Sequence, residues 1–139
     1  MKRPTVTEEM IEQAAQKLAL NNEWNEDNVA DIVKFYRINM DGYELAKRLE
    51  SHAGWDITVF DVDALDCIDS VVHDILRMAG LQWEKECDIQ PPLPVGTMTT
   101  RGEITGIYEH EAACYLIREN GETDESRRLI VRFEDACVA

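Results

Sequence analysis

Apolar residues recur every three to four positions through the first two-thirds of the chain and every second position in the last third. A run of prolines separates the two patterns. Met10, Ile11, Ala14 and Leu18 fall at helical spacing and predict a first helix. Thr5 or Thr7 can cap it, and Glu8 stands three residues after Thr5, as a reciprocal capping box requires. The polar stretch from Asn21 to Asn25 breaks this helix. Asn25 or Asp27 can cap a second one, with Val29, Ile32, Val33 and Tyr36 along one face. Asp41 as N-cap, Glu44 three residues on, a stripe of Leu45, Ala46 and Leu49, and Gly54 as a left-handed stop predict a third. A fourth helix is predicted from Thr58 to Gly80, its apolar face formed by Val62, Leu65, Ile68, Val72, Ile75, Leu76 and Ala79.

Pro91, Pro92 and Pro94 cannot continue a helix. Beyond them residues 97–108, 112–118 and 127–133 read as three β segments. Ile104 with Tyr108 or Ile107 faces inward in the first, and Leu129, Val131 and Phe133 alternate with Arg128, Ile130 and Arg132 in the last. Asn120-Gly121 favours a turn between the second and third. The expected fold is α+β: a four-helix unit over residues 1–90, a Pro-rich connection over 91–96, and a small antiparallel meander or SH3-like partial barrel over 97–139. So small a sheet is marginal alone, so it is expected to pack on the helices.

Charge changes this picture more than length does. Asp and Glu number 28 against 14 Lys and Arg, a formal net charge of -14. Six aspartates, Asp56, Asp61, Asp63, Asp66, Asp69 and Asp74, fall between residues 56 and 74 with no Lys or Arg among them. Laid on a continuous helix at about 100° per residue, all but Asp61 lie opposite the apolar arc, whereas Asp61 sits in the first turn where a carboxylate meets the helix dipole favourably. Soluble helices usually interleave cations at i+4, so an uncompensated stripe invites a functional reading beside the plain one of a solubilising face. Such a face repels nucleic-acid phosphates and attracts basic protein surfaces.

The residues offer little for catalysis or metal binding. The aspartates begin like a calcium loop at Asp61 and Asp63, but Leu65 and Asp66 stand where a fifth-position oxygen ligand and a glycine are needed. His52, His73 and His110 are remote from one another and from any Cys ligand spacing. Cys67, Cys87, Cys114 and Cys137 form no CxxC pair, and none has a neighbouring cation to activate it. No glycine-rich phosphate cradle is present. No cofactor and no metal are expected, and no enzymatic activity. The first residues are polar, with no apolar leader, and no apolar run is long enough to span a bilayer, so reduced thiols in a cytoplasm are expected and a membrane is not.

Two sets of segments carry a resemblance. Asp41–Glu50 (Asp-Gly-Tyr-Glu-Leu-Ala-Lys-Arg-Leu-Glu) with Gly54-Trp55-Asp56 form one; Pro94–Thr97, Tyr115–Arg118 and Leu129–Asp135 form the other. They resemble uncharacterised small acidic proteins of phages and prophages in proteobacteria. The resemblance implies a genomic setting in which small acidic proteins often inhibit host defence, as anti-CRISPR and anti-restriction proteins do. It supplies no site residue.

The leading expectation is a non-enzymatic binding protein in a bacterial cytoplasm. Its partner would be a protein with a basic surface rather than nucleic acid itself. The contacts would be Asp56, Asp63, Asp66, Asp69 and Asp74, with Glu23, Glu26, Asp27 and Asp31 ahead of them. The alternative is an accessory or structural adaptor that binds a protein through its β unit at Tyr108, Tyr115, Arg128 and Arg132. There the arginines could equally pair across strands with Glu103, Glu119, Glu122 or Glu125. Trp24, Trp55 and Trp83 are expected as core or helix-junction anchors.

Overall fold

Thr7, not Thr5, opens the first helix of the computed structural model, which describes residues 2–139: its hydroxyl accepts from the Met10 amide, and α1 runs Glu8–Asn22. The Glu8 box anticipated with Thr5 is therefore not used, because the helix begins two residues later. Glu23 in a left-handed conformation stops α1. Asn25 then caps α2 (Glu26–Phe35) in a reciprocal box with Asn28. Asp41 caps α3 (Gly42–Ala53), and Gly54, at a φ of 72°, ends it. These boundaries follow from local chemistry: short polar side chains satisfy the free first-turn amides, and left-handed residues end the helices.

The fourth predicted helix is present as two. Thr58 and Asp61 form a capping box for α4 (Val59–Asp66), and α5 (Ile68–Glu86) follows after Cys67. At the junction the Cys67 amide reaches back to the carbonyls of both Ala64 and Leu65, a local tightening of the turn. The second helix continues past the expected stop at Gly80, because nothing after that glycine interrupts the helical ladder until residue 87.

Two units emerge, residues 4–78 and residues 79–139 with Arg3, so the division falls within α5 and not at the prolines. The first unit closes on Ala14, Ala15, Ile32, Tyr36, Leu45, Leu49, Leu65, Ile68 and Val72. Val6, Trp24, Trp55 and Val62 pack around this core. Trp24 and Trp55 meet edge to face with ring centroids 5.5 Å apart, the junction role expected of them.

The second unit is an antiparallel sheet of four strands in sequential order, β1 (Met98–Thr99), β2 (Gly102–Tyr108), β3 (Cys114–Glu119) and β4 (Leu129–Arg132). The first predicted segment is thus split at a tight turn into two strands. A register shift between Ile104 and Gly106 curls the sheet, and the C-terminal residues return to its first edge through the Thr99–Val138 bridge. The sheet has a core of its own, Ile104, Tyr115, Ile117 and Val131, packed by Leu93, Leu129, Phe133 and Ala136. The Pro-rich connection belongs to this unit: the Tyr115 hydroxyl binds both the amide (2.7 Å) and the carbonyl (3.2 Å) of Leu93. Arg3 adds a tie across the unit, donating to the carbonyls of Ala112 and Ala113 and pairing with Glu134 at 2.8 Å.

Candidate functional site

The six clustered aspartates do not act alike. Asp61 is turned onto the Thr58 amide as half of the α4 capping box. Asp66 accepts from the Gly42 amide at 2.9 Å and so helps cap α3 from a neighbouring helix. Asp69 has the most partners. Its Oδ1 receives the phenol of buried Tyr36 and the Asn39 amide, and its Oδ2 lies 3.2 Å from His73 Nε2. His73 Nε2 also meets Asn39 Oδ1 at 3.0 Å. Burial, and then the bond to Asp69, raises the Tyr36 pKa well above that of a free phenol. The group fastens the segment between α2 and α3, where Asn39 holds a positive φ of 66°.

Four of the six are exposed, Asp66 among them, although one of its oxygens is held by the Gly42 amide. Asp56, Asp63 and Asp74 are exposed and make no salt bridge among the described residues. The single acidic stripe expected on one unbroken helix is therefore corrected in two respects. The helix breaks at Cys67, and half-buried Asp69 spends both oxygens on structural contacts while exposed Asp66 spends one. Of the acids ahead of it, Glu23, Glu26 and Asp27 are exposed, whereas Asp31 is half-buried and accepts from the Trp55 indole at 2.9 Å.

Sequence reasoning missed Val59 and Phe60. They stand in the first turn of α4 beside these acids and are 75% and 83% exposed. A phenyl ring left this open in water is costly unless something covers it, and aromatic residues are common anchors of protein interfaces. The signal was available: Phe60 lies two residues before Val62, about 200° away around a helix and so off the apolar stripe. Asp63, one turn on, shares its outward side.

On the sheet, Tyr115 is fully buried against Phe133 and cannot form part of an exposed binding surface, which corrects its place in the alternative site. It faces inward because its Cβ shares a side with Val131, its cross-strand partner. Tyr108 is half-buried and packs edge to face on His110. Arg128 is half-buried, with its guanidinium on the carbonyls of Asp124 and Arg127, and Arg132 is exposed. Arg118 pairs with Glu103 across the strands at 3.3 Å, the structural use anticipated for a sheet arginine. Ile130, between Arg128 and Arg132 on the outer face, is 47% exposed.

Among the described residues no group of three or more His, Cys, Asp or Glu side chains is arranged to hold a metal ion, and no helix is long and apolar enough to cross a membrane. Burial above all, and then Glu111, raises the Cys114 thiol pKa, which lowers its nucleophilic fraction at neutral pH. Comparison with protein-family models, with curated proteins and with solved structures gave no match.

Proposed function

We propose that this chain is a non-enzymatic acidic binding protein of phage or mobile-element origin, acting in a bacterial cytoplasm. It occludes a basic nucleic-acid-binding site on a host defence protein, in the manner of anti-CRISPR and anti-restriction inhibitors. One observation carries the reading: an exposed apolar pair, Val59 and Phe60, set beside the uncompensated carboxylates of Asp56 and Asp63. Carboxylates alone give steering and salt-sensitive affinity, but a desolvated aromatic in their midst supplies a point of tight contact. Asp74, Glu23, Glu26 and Asp27 extend the negative field. Half-buried Asp69 and Asp31 act behind it, and exposed Asp66 adds to the field while one of its oxygens holds the start of α3.

The test is capture of partners from a bacterial lysate by the tagged protein, identified by mass spectrometry at low and high salt. A nucleic-acid-binding protein should be captured at low salt, displaced by competing DNA, and lost in the Asp56→Asn, Asp63→Asn, Asp74→Asn variant and in Phe60→Ser. Capture indifferent to DNA and to both variants would sink the reading.

The second reading is an accessory adaptor that uses an SH3-like partial barrel. It is favoured by Ile130 lying open between Arg128 and Arg132, with Tyr108 as a further contact. Ile130→Asp separates the two: it should abolish partner capture only if the sheet is the docking element.

A further inference from the structure

A second surface lies in the helical unit, and neither Phe60 nor any other residue of α4 lines it. α1 and α2 are joined by a short turn, and between them runs an open groove of about 830 Å³. Trp24, Val29 and Val33 supply its apolar wall, and Leu20 stands on its lip with 84% of its surface in water. Glu8, Glu12 and Glu26 line the same groove, and no Lys or Arg does. Each feature has an ordinary explanation by itself: Glu8 and Glu26 sit in first turns and favour the dipoles of their own helices, and a lone exposed leucine is common. Their coincidence is what points further, because residues at helical spacing on two helices turn one apolar strip and one sign of charge toward a single channel.

We infer that this groove receives a basic amphipathic helix of another protein. A partner helix would lay an apolar stripe against Leu20, Trp24, Val29 and Val33, with Lys or Arg on its flanks reaching Glu8, Glu12 and Glu26. The α1 wall suits it: its lining residues run from Glu8 to Leu20, about 18 Å at the helical rise, which matches a little over three turns of a docked helix. A second copy of this chain is disfavoured as occupant, because two molecules of net charge -14 repel one another. The proposal shares only Glu26 with the α4 surface and stands or falls separately from it.

Titration with three labelled peptides of about 15 residues tests this: an amphipathic Leu/Lys helix, the same helix with Glu for Lys, and a scrambled Leu/Lys peptide that keeps the charge. Fluorescence anisotropy would measure affinity, and amide chemical shifts of the full chain would locate the contact. The protein should bind the Leu/Lys helix, with shifts centred on Leu20, Val29 and Val33, and should bind the scrambled and Glu peptides about tenfold or more weakly. Leu20→Gln, at an exposed position that leaves the fold intact by circular dichroism, should weaken it by about tenfold; Glu8→Gln with Glu12→Gln should do the same and flatten the salt dependence. Phe60→Ser should leave peptide binding unchanged. Equal binding of the scrambled peptide, insensitivity to Leu20→Gln, or shifts centred on α4 or the sheet would overturn the inference. So would a Leu20-dependent dimer in sedimentation, which would make a second copy the occupant.

Discussion

Two side chains fix much of the local architecture, and their removal should read differently. Asp69 is the shared acceptor for Tyr36 and Asn39. Asp69→Ala leaves a buried phenol without its partner and should lower unfolding stability by about 2–3 kcal/mol in urea denaturation, since hydrogen bonds to a charged acceptor exceed the neutral average. The loss should shrink in a Tyr36→Phe background, where no buried hydroxyl is orphaned. Glu134 offers a pH test. The Arg3 guanidinium, bonded to it, holds its carboxyl down at about 2 from an ordinary 4.5. A depressed carboxyl contributes stability above its unfolded pKa and loses it as pH falls through the folded value. The thermal midpoints of the native protein and Glu134→Gln should therefore differ at pH 7 and converge between pH 4.5 and 2. Because Glu134 is half exposed, the gap at pH 7 should correspond to no more than about 1 kcal/mol. Arg3→Ala should cost more at every pH, because Arg3 also serves the carbonyls of Ala112 and Ala113.

Among the elements, the meeting of α3 and α4 is the most exacting. Gly42 opens α3 with no side chain, and a Cβ there would overlap the backbone of Asp66. In an isolated helix Gly→Ala is stabilising by about 1 kcal/mol. Here the sign should reverse: Gly42→Ala should destabilise by about 2 kcal/mol or more in thermal or urea unfolding, since the two backbones must part and the Asp66–Gly42 bond is lost with them. A stabilised Gly42→Ala protein would show that α3 and α4 do not approach so closely. This junction also accounts for the divided acidic segment. Asp66 ends α4 with its carboxylate committed to another helix, and the chain resumes helical form at Ile68.

Across the whole molecule, charge sets the behaviour. At net -14 the exposed carboxylates repel one another, and the repulsion is greater in the folded state than in an expanded chain. Raising NaCl from about 0.05 to 0.5 M should therefore increase the thermal midpoint by a few degrees, because screening shortens the reach of that repulsion more than it weakens the few ion pairs. A midpoint that falls with salt would mean that attractive pairs dominate instead. Neither unit should retain double-stranded DNA at physiological salt in a mobility-shift assay, since the acidic helices repel phosphates and the few arginines of the sheet are too sparse to form a phosphate track.

Local chemistry in the chain determined where helices begin, where α3 stops and which faces are apolar. The caps Asn25, Asp41 and Thr58, the stop at Gly54, and the alternation through Leu129 and Val131 act over a few residues, so their outcome is written in those residues. The acidic excess is likewise a property of composition. Tertiary structure decided which acids are free. Asp66, Asp69 and Asp31 look like any exposed aspartate in one dimension, and only contacts 24 to 33 residues away, to Gly42, Tyr36 and Trp55, turn them into structural acceptors. The same holds for Tyr115, whose burial depends on β-strand register, and for Val59 and Phe60, exposed because α4 turns its other side to the core. Periodicity says which side of an element is apolar; the packing of distant segments decides which polar atoms remain for a partner.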